Sequence, residues 1–343
     1  MSPLATSNPP FPVQPRGKPA EFPAAYRLED LGETEDRVPL LPVALNDAGQ
    51  LALYGQLPEK QGKARQVRGY ILSDGILTEQ MGAPGAIPLT GLSSSGLLSG
   101  QRRPGAGPAH AWASHRGDFG AGLWPGTESC AAAVNRVGEV AGHVVQRVGG
   151  RARRQVFLHN GGEARFLPVP RDASATATGL NDAGTVLANC ACGLFETQSQ
   201  VMLWTGDAVS VIKPEAGGGV WGAALTPGGR VCGRILTAGG NIHAFLHEEG
   251  RTYDLNCDPV YQSEALAAND ARVVVGRFMD DNGRRGAFRW TPADGMRALE
   301  DFVPGLAGWT LQRAVAVNAA GRIAGIGLRE GEPRGFLLSP LAG

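Results

Sequence analysis

Asn46-Asp47-Ala48-Gly49 and Asn181-Asp182-Ala183-Gly184 are two copies of one four-residue turn. Related turns open at Ser93, Asn135, Thr226, Asn269 and Asn318. The turn therefore recurs seven times at a spacing of roughly 45 residues, the mark of a repeat architecture. Three residues after the anchor stands Gly49, Gly96, Gly138, Gly184, Gly229 or Gly321, with Arg272 the single departure. Glycine there accepts the positive φ that a four-residue hairpin turn or its bulge demands. The Asn, Ser or Thr that opens the turn can brace it through a side-chain hydrogen bond.

The flanks of the turn are equally patterned. Two residues before each anchor the residue is Ala or Gly: Ala44, Gly91, Ala133, Gly179, Ala224, Ala267 and Ala316. Five residues after it the residue is aliphatic: Leu51, Leu98, Val140, Val186, Val231, Val274 and Ile323. Each hairpin is followed by a third apolar run centred on a large side chain: Tyr70, Trp112, Phe157, Met202, Phe245, Phe288 or Phe336. A glycine-containing turn and a short fourth run usually follow, as in Arg251–Leu255. Four short strands per repeat, seven times over, predict an all-β fold: a seven-bladed β-propeller of four-stranded antiparallel blades. The small column falls on the first strand, nearest the axis, where space is least. The large column falls on the third, where the gaps between blades widen. The last repeat ends after its third strand, so Tyr26–Leu31 is expected to supply the missing fourth and close the ring.

Composition agrees. The chain has 343 residues with 50 Gly and 24 Pro, which favours many turns and short strands. Residues 1–22 read as a disordered Pro-rich tail and 23–343 as one propeller domain. Lys+Arg and Asp+Glu are both 32, so bulk attraction to nucleic acid or anionic membrane is not expected. No apolar run is long enough to span a membrane as a helix. The N-terminus lacks a basic region followed by an apolar one, which argues against a secretory leader and for the cytoplasm. The odd count of five Cys also fits a reducing compartment.

Most apparent chemical motifs dissolve into the repeat. His243 and His247 are four apart on a strand, about 13 Å at roughly 3.3 Å per residue, too far to share a metal ion. Cys190 and Cys192 lack the second pair that zinc requires, although Cys232 could approach from the next blade. Asp280-Asp281-Asn282-Gly283 lacks the later ligands of a calcium loop and reads as a hairpin turn. Ser93-Ser94-Ser95-Gly96 aligns with the repeat turn and is not a nucleophile elbow. No cofactor is implied.

Two features point to binding. The connections between second and third strands carry Lys60, Lys63, Arg65, Arg102, Arg103, Arg147, Arg151, Arg153, Arg154, Arg284, Arg285 and Arg329. On one propeller face these form either an anion-binding surface or an ordinary rim, because the blade-to-blade connections bring Glu33, Glu35, Asp36, Glu215, Glu264, Glu300 and Asp301 to the same face. Trp124, Trp221 and Trp309 lie in or beside those connections, outside the large column, where an exposed indole could anchor a peptide or stack on a sugar. The expected function is a monomeric, non-catalytic module that binds a protein or peptide on one face. The alternatives are a glycan-binding propeller and a propeller hydrolase or lyase.

The blocks Ala-x-Asn-x-x-Gly and His243-Ala244-Phe245-Leu246 resemble the HAF family of bacterial repeat proteins, from about residue 26 to residue 340. His110-Ala111-Trp112 is a near copy of the triplet. The resemblance implies a repeat fold and a place outside the cell, and it carries no catalytic residues.

Overall fold

The computed structural model describes residues 25–57, 66–84, 88–103, 107–148, 151–191, 199–213, 218–256 and 262–341. They form seven four-stranded antiparallel sheets. Six blades are consecutive in sequence, spanning 41–84, 89–118, 128–166, 174–212, 220–254 and 262–298. The seventh combines Trp309–Val317, Ile323–Arg329 and Glu332–Pro340 with the N-terminal strand Tyr26–Asp30. That strand runs antiparallel along the last one, with Tyr26 opposite Pro340 and Asp30 opposite Phe336. An ion pair from Arg329 Nη1 to Asp30 at 2.9 Å and another from Arg334 to Glu33 hold the closure. The chain is thus an all-β seven-bladed propeller, closed by its N-terminal strand. The first strand of every blade touches the first strand of the next, all the way round the ring.

The anchor residues explain how the blades stay in register. All seven are buried. The Asn46 side-chain oxygen accepts the Gln50 backbone N–H at 2.9 Å, closing its own turn. Its amide nitrogen donates to the Ser93 carbonyl of the next blade at 3.0 Å. Asn135 reaches Asn181, Asn181 reaches Thr226 and Pro227, Asn269 reaches Asn318, and Asn318 reaches Asn46, in the same way. Ser93 and Thr226 brace their own turns through a hydroxyl. Where Asp follows the anchor it answers in the opposite direction: Asp47 accepts from Ala319 N–H, and Asp182 from Arg136 N–H, both at 2.8 Å.

The large column fills the spaces between blades. Phe157, Phe245, Phe288 and Phe336 are wholly buried, and Tyr70, Trp112 and Met202 nearly so. Phe245 shares a core cluster with Leu187, Val201 and Ile212 of the preceding blade and with Val220 of its own. The His-Ala-Phe triplet has a structural reason: Ala244 N–H donates to Ser263 Oγ in the next blade at 2.9 Å, and Ala111 N–H to Ser129 Oγ likewise. The periodicity hides one feature, a register shift in all seven first strands just before the small column, as between Gly222 and Ala224. Each bulge bends the strand where it nears the axis. In five blades a glycine stands opposite it, and there a side chain has no room: a Cβ on Gly233 would lie 1.9 Å from the Trp221 carbonyl oxygen.

Candidate functional site

With this up-and-down topology the anchor turns lie at one face, and the blade-to-blade connections lie at the other with the second-to-third-strand turns. Much of that second face is charge-compensated. Arg68 pairs with Asp36 at 3.5 Å, Arg103 with Glu128 at 3.6 Å and Arg284 with Glu300 at 2.9 Å. At these blades the interleaved rim is the outcome.

Away from the Arg284–Glu300 pair, blades 5 to 7 differ. They enclose an open cleft of about 430 Å³ whose wall includes Arg234, Glu264, Arg277, Arg285 and Arg313. The cleft is built from two positions of the repeat. Five residues before each anchor, on the first strand or, for Pro88, just ahead of it, stand Leu41, Pro88, Cys130, Thr176, Trp221, Glu264 and Arg313. Eight residues after it, on the second strand, stand Tyr54, Gln101, His143, Asn189, Arg234, Arg277 and Ile326. The sheet register sets these residues opposite one another: Trp221 faces Arg234, Glu264 faces Arg277, and Arg313 faces Ile326. Charge occurs at the two positions only in blades 5, 6 and 7, and there it is concentrated.

Glu264, mostly buried, organises the wall. One of its oxygens accepts from Arg234 Nη1 at 2.9 Å, and the other from Arg277 Nε at 2.8 Å and Nη2 at 2.6 Å. The Arg234 guanidinium also lies over the Trp221 ring, 5.0 Å from its centroid, a cation–π arrangement that fixes the indole at the cleft's edge. A Cβ on Gly219 would strike that indole at 2.3 Å, so the preceding backbone packs flat against it. Ile242, Phe278 and Met279 add an apolar side.

The structure separates the residues that the sequence offered as one binding set. Of the three Trp residues, Trp221 is linked to the cleft, through the Arg234 guanidinium stacked on it, without itself lining it. Trp309 is only 8% exposed and packs edge-on against Phe336 with ring centroids 6.2 Å apart, so it belongs to the blade core and not to a surface. Trp124 caps the short helix Gly120–Leu123 and lies 4.6 Å from Phe157 and 5.7 Å from Phe166 between ring centroids. It covers the core of blade 3 locally. Arg102 ends the second strand of blade 2 and Arg103 follows it. Arg153 donates to the Ala173 carbonyl at 2.9 Å, and Arg154 lies beside it on blade 3. These four arginines line no part of the cleft. Lys60, Lys63, Arg65, Glu215 and Cys192 lie outside the described residues.

The motifs read as structural behave as such. His243 Nδ1 bonds Asp254 at 2.7 Å and His247 Nδ1 bonds Thr252 at 2.9 Å, each to its own partner on the fourth strand. Asp280 closes its hairpin by accepting from Asn282 and Arg284 N–H. Among the described residues no group of three or more His, Cys, Asp and Glu could hold a metal ion. Burial pushes the Cys232 thiol up to about 12 and the Cys130 thiol up to about 11, so both stay protonated.

No protein-family model matches the chain, and no curated protein matches it by sequence. Solved propellers do match it in fold. The acylaminoacyl peptidase of Pyrococcus horikoshii aligns over 93% of this chain and 52% of its own, at 10% identity and a TM-score of 0.55. A puromycin hydrolase in complex with PGG aligns over 91% and 56%, at 13% identity and 0.55. YCF48 bound to a D1 peptide aligns over 93% and 96%, at 12% identity and 0.44. The chain spans about half the length of the two hydrolases. At these identities the likeness is one of fold, and fold does not carry function with it.

Proposed function

We propose that this propeller is a non-catalytic binding module that holds a peptide segment of a protein partner in the cleft between blades 5 and 7. The observation that carries the reading is the cleft's wall: an apolar side and a row of guanidinium groups, of which Arg234 is stacked on the half-buried Trp221 just outside the lining. Such a surface suits an extended peptide. Aromatic and arginine side chains dominate the energetics of protein recognition, and a rigid scaffold spends little on ordering them. Glu264, the carboxylate in the wall, is already held by two arginines and is poorly placed to serve as a general base. The resemblance to HAF-repeat proteins belongs to this reading, with the His243-Ala244-Phe245 triplet acting in blade packing and not in recognition.

The test is selection from a displayed random-peptide library, with the folded Trp221→Ala protein as the counter-selection bait. Peptides that bind the wild type and lose at least roughly tenfold in affinity for the variant are expected, as for an interface anchor. A library that yields no peptide, or only peptides indifferent to Trp221, overturns the proposal.

A further inference from the structure

The charge of the cleft wall does not close on itself. Arg234, Arg277, Arg285 and Arg313 face one carboxylate, Glu264. Nearby arginines outside the cleft are matched. Arg230 and Arg272 share the buried Glu248 at 2.7 and 2.9 Å, Arg284 takes Glu300 at 2.9 Å, and Arg289 takes Asp294 at 2.6 Å. Arg285 and Arg313 form no ion pair with any described residue. The excess is local, because the chain as a whole carries no net charge.

The two charged positions are also held in place. Arg234 and Arg277 bond different oxygens of Glu264, so the carboxylate fixes both heads in the cleft wall. Arg313 stands on the first strand of blade 7 and Arg285 at the start of the third strand of blade 6. Both are strand positions on a rigid sheet and not loop tips. Guanidinium groups present planar, paired donors that match the two oxygens of a carboxylate or the face of a phosphoryl group. Ile242, Phe278 and Met279 offer an apolar side on which an aliphatic stem or a peptide backbone can rest.

We infer that the cleft is an oxyanion site, in which Arg277, Arg285 and Arg313 hold a carboxylate or phosphoryl group of the bound peptide while Glu264 positions Arg234 and Arg277. The inference rests on the peptide-holding role and names the chemistry that the peptide brings to it. Glu264 is a positioning residue: it supplies no contact to the anion and sets the distance between two of the cations. The ligand segment is acidic, or it becomes a ligand on phosphorylation.

Fluorescence anisotropy with labelled peptides tests this. Three probes of one length share a neutral frame and differ at the centre, carrying glutamate, phosphoserine or glutamine. Tight, saturable binding of the glutamate or phosphoserine probe is expected, with the glutamine probe weaker by roughly tenfold or more. Arg285→Met/Arg313→Met is expected to abolish that preference and to flatten the fall of affinity with salt, because charge and not bulk is removed. Preference for glutamate identifies acidic segments as the source, and preference for phosphoserine identifies modified ones. Anionic probes that bind the double variant as well as the wild type overturn the inference, as does equal binding of all three probes. If the glutamine probe binds as well as the others and loses affinity in Trp221→Ala, the oxyanion site falls and the peptide-holding role stands. If no probe binds and the library also yields nothing, both fall.

Discussion

Asn269 uses both ends of its amide. Its oxygen accepts from Ala271 and Val273 N–H at 3.1 and 3.0 Å and shapes the turn, while its nitrogen crosses to the Asn318 carbonyl of the next blade at 2.9 Å. Ser93 and Thr226 occupy the equivalent position and brace the turn with a hydroxyl, so a hydroxyl suffices for the turn. Asn269→Ser therefore isolates the bond between blades. It is expected to cost about 1 kcal/mol, the net worth of one buried hydrogen bond, and Asn269→Ala about twice that. Urea denaturation of the two variants checks both values, and an Asn269→Ser variant as stable as the wild type would show that the crossing bond contributes nothing. The anchor was legible in sequence as a turn opener. Its second role was not, because the acceptor is a backbone carbonyl that looks the same for every residue. Arg272 teaches the opposite lesson. It breaks the glycine column yet adopts the same positive φ of 63°, and its side chain is tied to Glu248 at 2.9 Å. The turn conformation is a property of the hairpin, and glycine is only its least strained occupant.

Among the elements, the third strand bears the packing. Phe245 touches blade 4 from blade 5 and is wholly buried. Truncating it to Ala opens a cavity that two rigid sheets cannot close, so a loss of roughly 3–5 kcal/mol is expected in chemical or thermal unfolding. A loss under about 1 kcal/mol would mean that the blades slide to fill the gap. Strand identity, blade number and the closing strand were readable because period, turn chemistry and burial all recur and reinforce one another. The closing strand ends at Asp30, one residue short of the expected Leu31, although Leu31 N–H still bonds the Gly335 carbonyl at 2.9 Å. The first-strand bulge escaped because one extra residue leaves the repeat length unchanged. The glycines opposite it, Gly100, Gly142, Gly233, Gly276 and Gly325, were its signal.

For the molecule as a whole, the site depended on which blades break the pattern. The arginines that stand out in the sequence lie in turns, and the rim pairs several of them with carboxylates. Arg285 of that set does line the cleft, but the others that form it, Arg234, Arg277 and Arg313, sit in strands, at positions where blades 1 to 4 carry Leu, Pro, Cys, Thr, Tyr, Gln, His or Asn. Comparing the repeats at those two positions finds the site without a structure. Comparing Trp residues does not, since Trp309 serves the core. The same second-strand position controls how the propeller responds to acid. In blade 4 it is Asn189, which clamps Gly222 of blade 5 through both ends of its amide at 2.9 and 2.7 Å. In blade 3 it is His143, whose imidazole is pushed down to about 4 by burial and then by the charge of Arg154. A depressed imidazole is neutral in the folded protein while the unfolded chain takes up a proton from about pH 6.5 downward. Stability is therefore complete above that pH and is lost as the pH falls toward 4, by up to roughly 3 kcal/mol from this residue. His115, His159 and His247 are also held below the ordinary value, each chiefly by burial, and push in the same direction. His143→Asn installs the residue that blade 4 already uses at this place. Its unfolding midpoint in urea is expected to fall less than that of the wild type between pH 7 and pH 5. Equal falls would assign the acid sensitivity to the other histidines and leave His143 a packing residue only.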